Sequence, residues 1–200
     1  ATIDIPAGAS VLSTDITPAG VGSCSVGATQ VTWDLAAIPS ADASALRADG
    51  FTLRPIDLAR IDAELSDLWA LAADAFAGNF LYTTISQDEF CAMYKAVLPV
   101  LRPELVLLAE RAGRAVGFGF SVPDVLQARR GKPIDTFVFK TLAVASDMGQ
   151  RGIGKWIFDE TLRAARALGL RRAIFALIHE GNPSGRLAHP HGRDFRRYTL

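Results

Sequence analysis

Three glycines, Gly149, Gly152 and Gly154, stand close together with Arg151 and Lys155 set among them. Glycines so dense let main-chain N–H groups turn toward one point, and the two cations add full charge there. That is chemistry for holding an anion, above all a phosphate. The stretch before, TFVFKTLAVAS (136–146), is apolar and β-branched and predicts a central strand. The stretch after, WIFDETLRAARAL (156–168), predicts a helix whose inner face carries Ile153, Ile157, Thr161, Ala165 and Leu168, and which stops before Gly169. Strand, glycine turn and helix N-terminus in this order bring unpaired N–H groups and the positive end of a helix dipole to one place.

Three readings of that turn stand open. Gly149, Gly154 and Lys155 fit G-x-x-x-x-G-K, the start of a nucleotide-binding P-loop. The next residue there should be Ser or Thr, whose hydroxyl holds magnesium; here it is Trp156, which cannot. A pyrophosphate cradle of the form Q/R-x-x-G-x-G/A fits Gly152, Ile153 and Gly154, with Gly149 at its first position and Gln150 and Arg151 beside it to supply the missing side chain. The third reading is a glycine-rich turn without a ligand.

The elements that must position this turn follow in order. FTLRPI (51–56) predicts a short strand. Asp57 can cap the next helix, whose apolar stripe is Leu58, Ile61, Leu65, Leu68, Ala72 and Phe76. Ser86 and Glu89 have capping-box spacing and open a second helix that runs to about Leu98. LVLLAE (105–110) and AVGFGFSV (115–122) predict a hairpin turning at Ala112-Gly113. Residues 125–133 read as a short helix or loop, Arg172–His179 as a strand, and FRRYTL (195–200) as a last one. Residues 1–50 differ, being rich in small residues. Within them TQVTWDL (29–35) is the strand candidate and GVGSCSVG (20–27) a loop or hairpin turn, so an N-terminal extension, partly disordered or a β-hairpin, is expected ahead of a main domain over 51–200.

Half of the residues are hydrophobic, enough for a sizeable core, and the formal net charge is zero. A neutral chain gives no electrostatic case for nucleic acid or an anionic membrane. Cys24 and Cys91, with His179, His189 and His191, show no metal-ligand spacing, so no metal is expected. No uninterrupted apolar stretch is long enough to span a bilayer and no secretory leader is legible, so a cytoplasmic protein is expected. The chain begins without Met, as a fragment or trimmed product would.

The order of elements resembles that of the GNAT N-acetyltransferases, and several residues carry the resemblance across 51–200. Phe51-Thr52-Leu53-Arg54-Pro55 resembles the family's opening strand. Leu107-Leu108-Ala109-Glu110 with Gly113 and Val116-Gly117-Phe118 resembles its hairpin. Leu142-Ala143-Val144 resembles its pyrophosphate strand, and Asn182 matches an Asn common after the next strand. The resemblance implies an α/β fold with a mostly antiparallel mixed sheet, flanking helices and splayed central strands. It implies acyl transfer from acetyl-CoA or another acyl-CoA to a primary amine.

Leu142, Ala143 and Val144 would then pair with pantetheine in the gap between the central strands. The Val144 N–H would face the thioester oxygen, where negative charge develops. Gly149, Gln150, Arg151, Gly152, Ile153, Gly154 and Lys155 would hold the pyrophosphate. Asn182 would bond the pantetheine arm or cap a helix before Pro183. The family's strand carboxylate is missing, which leaves Glu110, His179 and Glu180 as candidate bases. The family's Tyr, seven residues after the Asn, is replaced by His189, which leaves His189, His191 and Tyr198 as candidate acids. Phe80 and Tyr82, with Asp88 and Glu89, lie where an acceptor, a small-molecule or peptide amine, would enter. A homodimer is allowed for. A non-catalytic coenzyme A module is the alternative, supported by the missing carboxylate and Tyr.

Overall fold

The computed structural model describes residues 25–32, 43–78, 83–149, 151–179 and 194–199, with 25–32, 175–179 and 194–199 described as backbone. Its strands are β1 (Ser25–Thr32), β2 (Phe51–Pro55), β3 (Val106–Arg111), β4 (Arg114–Pro123), β5 (Thr136–Val144), β6 (Arg172–His179) and β7 (Asp194–Thr199). Its α-helices are α1 (Ser44–Ala48), α2 (Ile61–Phe76), α3 (Gln87–Lys95), α4 (Val125–Arg129) and α5 (Ile153–Ala167). One seven-stranded sheet runs in the order β2-β3-β4-β5-β6-β1-β7. Every neighbouring pair is antiparallel except β5 with β6, which α5 connects as a parallel crossover.

Helices cover both faces. On one, Leu65 and Leu68 of α2 and Phe90 and Tyr94 of α3 pack on Leu108, Phe118, Phe120 and Ala143. On the other, Phe158, Leu162 and Ala165 of α5 pack on Phe137 and Phe139. Ile153, Trp156 and Ile157 meet Phe51, Leu107 and Leu46 there. The alternation in β4 explains the split: Phe118 and Phe120 fill the α2–α3 side, and Gly117 and Gly119 turn toward α5. A Cβ on Gly119 would lie 2.6 Å from Ile157 Cγ2. The glycine is what lets α5 press onto the sheet and bring its N-terminus to the end of β5.

The capping box is present: Glu89 N–H donates to Ser86 Oγ and Ser86 N–H donates to Glu89 Oε2. Three sequence expectations are corrected. Leu168, expected on the inner face of α5, is the residue after its last one, Ala167, and is 40% exposed. The first turn after Asp57 is a 3₁₀ turn over Leu58–Arg60, which rotates the stripe, and Leu58 is 44% exposed rather than packed. Residues 25–27, expected in a loop or turn, begin β1, and residues 33–35 of the expected strand lie outside the described residues. β1 is an interior strand of the sheet: it pairs with β6 along one edge and β7 along the other, which satisfies backbone groups that two open edges would leave unpaired.

Candidate functional site

The site forms where β5 parts from β6. Their pairing runs from Thr136 with Arg172 to Phe139 with Phe175 and goes no further among the described residues, although β5 continues to Val144 and β6 to His179. A bulge marks the parting. In the β4–β5 ladder Phe120 faces Thr141 and Ser121 faces Phe139, which leaves Lys140 without a partner. A bulge bends its strand and sharpens the local twist, and here it carries the last residues of β5 away from β6.

The edge so exposed has a definite chemistry. The N–H of Ala145 donates to Val116 O of β4 at 2.9 Å. Amides alternate sides along a strand, so Leu142 and Val144 turn their N–H and C=O toward the gap and Ala143 turns toward β4. Val144 thus presents a main-chain donor to the gap, at the strand end nearest the glycine turn.

That turn leads from β5 into α5. Residues Ser146–Met148 make a 3₁₀ turn. Gly149 (φ 58°) and Gly152 (φ 82°) both take positive φ, which glycine adopts without the strain a side chain would bring. Gly152 is the N-cap of α5, and no side chain caps that end. The first intrahelical bond runs from Trp156 N to Gly152 O, so the N–H groups of Ile153, Gly154 and Lys155 have no partner within the helix. Among the described residues a Cβ on Gly152 would meet nothing within 4 Å, which leaves the space before the turn open to them.

Neighbouring elements fix the turn. Asp74, at the end of α2, accepts from Ser146 N and Ser146 Oγ, each at 2.8 Å. These bonds hold the Asp74 carboxyl below its usual range, the main-chain one most. Arg114 pairs with Asp147 at 2.6 Å. The expected cations are partly engaged elsewhere: Lys155 pairs along the helix with Asp159, and Arg151 lies 3.9 Å from Asp49. Trp156 is buried against Phe51 and Ile153, so the P-loop's magnesium position is filled by core.

The remaining sequence candidates scatter. Glu110 is not at the gap; it lies on β3, separated from β5 by β4. Its Oε1 accepts from Arg54 Nε at 2.9 Å and Nη2 at 2.7 Å, while both Arg54 Nη atoms also reach the buried Glu64. Two carboxylates around it drive the Arg54 guanidinium pKa upward, Glu64 most. His179 and Tyr198 both register with Val26 of β1, one on each side, so β1 stands between them. Phe80, Tyr82, Gln150, Glu180, Asn182, His189 and His191 lie outside the described residues. Glu89 is engaged in its capping box. Two groups at or near the site escaped the sequence reading. Lys140 had a signal, as the one charge inside an apolar strand. Asp74 had none, being 72 residues from the serine it holds.

No metal-ligand cluster occurs and no helix is long and apolar enough to cross a membrane, among the described residues. A cleft of about 770 Å³ lies elsewhere, between the β2 edge and the flank of α5 formed by Trp156, Glu160 and Arg163.

No family model matches the chain, and no curated protein matches its sequence. Solved structures do match. A GCN5-related N-acetyltransferase from Sphaerobacter thermophilus is similar with TM-score 0.64 and 16% identity, over 89% of this chain and 51% of that one. An N-acetyltransferase from Staphylococcus aureus Mu50 is similar with TM-score 0.58 and 16% identity, over 76% of this chain and 98% of that one. A ribosomal-protein-alanine N-acetyltransferase from Brucella melitensis is similar with TM-score 0.54 and 19% identity, over 74% and 99%. The chain thus spans about half the length of the Sphaerobacter protein. At these identities the likeness establishes the fold that the order of elements implied.

Proposed function

We propose that this chain, which has the GNAT fold, transfers an acyl group from acyl-CoA to a primary amine. One observation carries the reading: β5 parts from β6 directly ahead of a helix N-terminus that no side chain caps. An extended amide-bearing arm suits the open strand edge, and a pyrophosphate suits the turn beyond it. The residues present fit such a cofactor by their donor set. Main-chain groups of Leu142 and Val144 would pair with the pantetheine amides, and the N–H groups of 150–155 would hold the pyrophosphate. Arg151 would swing from its long contact with Asp49 to the phosphates. The Val144 N–H would stabilise the oxygen of the thioester carbonyl as an amine attacks it, because negative charge grows there in the transition state.

The proton chemistry belongs to other residues. Glu110 is held by Arg54 and serves the fold. Glu180 remains the candidate base; Tyr198, on β7 with β6 and β1 between it and β5, is set aside as the acid, and the thiolate leaves unprotonated. Asn182 would bond the pantetheine arm, and Phe80 and Tyr82 would line the acceptor's entry. The donor implies a cytoplasmic setting.

Titration calorimetry with acetyl-CoA, CoA, ATP and GTP tests the cradle, and binding of acetyl-CoA and CoA alone is expected. Free-thiol release across a panel of primary amines tests turnover. Binding without release for any amine would favour the non-catalytic module. Preferential binding of ATP or GTP would reject the reading.

A further inference from the structure

Lys140 has no role in the reaction described above, yet it stands at its centre. It follows directly on the last β5–β6 pair and is the residue that the β4–β5 ladder passes over. Its side chain is partly buried, with Nζ 4.6 Å from the centroid of the Tyr94 ring on α3. Burial pushes its ammonium pKa down, and among the described residues no carboxylate opposes that shift. The other lysines are Lys95, Lys132 and Lys155. Lys95 is held by Asp62 at 2.6 Å, which raises its pKa; Lys155 is held by Asp159; Lys132 is exposed. Lys140 differs from all three in joining a withdrawn amine, without a carboxylate partner among the described residues, to a place at the apex of the gap, where β5 and β6 part.

We propose that Lys140 is itself acylated by the thioester bound between β5 and β6. The inference rests on the acyl-CoA reading. Leu142, whose main-chain groups face the gap, lies two residues along the strand, roughly 7 Å away, a span that a lysine side chain covers. The neutral Nζ attacks the thioester carbonyl carbon. A C–N bond forms and the C–S bond breaks. The sulfur leaves with the bonding pair, and a proton from the attacking nitrogen passes to it, giving free thiol and Nε-acyl-lysine. The product is an amide, which does not hand its acyl group onward, so it is a lasting mark and not an intermediate. It also removes the positive charge over Tyr94.

The experiment needs no acceptor. The whole chain is incubated with acetyl-CoA, and acetylation of each lysine is followed by peptide mass spectrometry. Lys140 is expected to be modified roughly tenfold or more faster than exposed Lys132, because the bound thioester is held beside it. Excess CoA should suppress labelling at Lys140 and leave Lys132 unchanged. Calorimetric binding of acetyl-CoA with Lys140 labelled no faster than Lys132 overturns this proposal and leaves the coenzyme reading standing. Labelling of Lys140 that excess CoA does not suppress is solution chemistry and also overturns it. No binding of acetyl-CoA overturns both.

Discussion

The two ends of the β5–β6 junction are built oppositely. At the closed end Asp135 Oδ1 accepts from Arg172 Nη2 at 2.5 Å, Gln127 Nε2 at 2.7 Å and Thr136 Oγ1 at 2.9 Å. Its main-chain oxygen takes the N–H groups of Arg171 and Arg172, and Gln127 Oε1 takes those of Asp135 and Thr136. At the open end the edge of Leu142 and Val144 has no β6 partner, and α5 begins without a side-chain cap. Polar groups withdrawn from water are nearly always paired within a protein. One end of the junction meets that demand with its own side chains. The other, among the described residues, leaves a row of main-chain donors without a sheet or helix partner, open to water or a ligand. The closed end is thus where the chain holds the strands together, and the open end is where it has something to offer a second molecule.

Breaking the open end should have the largest effect. Gly152→Asp puts a carboxylate into the space before the turn, at a φ of 82° that side chains resist. Acetyl-CoA affinity should fall roughly hundredfold or more, since the variant removes an anion site by bulk and by charge together. Calorimetry on a variant whose circular dichroism matches the parent decides it, and unchanged affinity would reject the cradle. Gly152→Ala, which adds strain without charge, should fall between the two.

Breaking the closed end should instead cost stability. Asp135→Ala strands Arg172 and Gln127, and the loss should be about 1–2 kcal/mol, below the figure for a buried ionic bond because both partners are partly exposed. Urea denaturation reads it directly. Acetyl-CoA affinity should change less than threefold, roughly 0.6 kcal/mol. A large affinity loss with stability intact would mean that the two ends are not separable.

The open end was the more legible in sequence. Glycines at 149, 152 and 154 between an apolar strand and an amphipathic helix say where backbone turns and donors gather, because positive φ is a local demand that a residue type answers. Ser86 and Glu89 announced their capping box for the same reason. Long-range pairings were not legible. Nothing in the spacing of Arg54, Glu64 and Glu110 shows that one guanidinium serves both carboxylates, and Glu110 read as a free acid for that reason. β1 was legible as a strand over part of its length, but its place between β6 and β7 depends on which edges the rest of the sheet leaves open. The parting itself depends on one unpaired residue, Lys140, and a bulge has no periodicity to betray it.

A smaller change sharpens the contrast by loosening the open end without filling it. Asp74 anchors Ser146 through two bonds and touches no part of the proposed anion site. Asp74→Ala should lower acetyl-CoA affinity about three- to tenfold, since the turn must then be ordered on binding. Little stability should be lost, because the carboxylate is exposed and competes with water for its partners. Asp74→Asn keeps acceptor capacity and should recover part of the affinity. Equal affinity in all three proteins would show that the turn is rigid by its own backbone.

The smallest expected effect is a pH dependence confined to the closed end. Hydrogen bonds from Arg172, then Gln127 and Thr136, bring the Asp135 carboxyl down from 3.8 to about 2. A depressed folded-state pKa means that the charged carboxylate favours the fold above about 3.8, and that this contribution fades as pH falls through the interval down to about 2. Water around the partly exposed pair screens it, so the contribution should be about 1 kcal/mol. Asp74 is shifted the same way, so acid sensitivity of the parent chain alone cannot be assigned to Asp135. The difference between parent and Asp135→Asn can, because Asp74 titrates in both and cancels. Urea midpoints taken from about pH 5 down to about pH 2 should show the parent more stable at the upper end and the two curves converging toward the lower. Curves that stay parallel through that window would mean that Asp135 holds Arg172 no more tightly folded than unfolded, and that hydrogen-bonded backbone alone keeps β5 on β6 where they still touch.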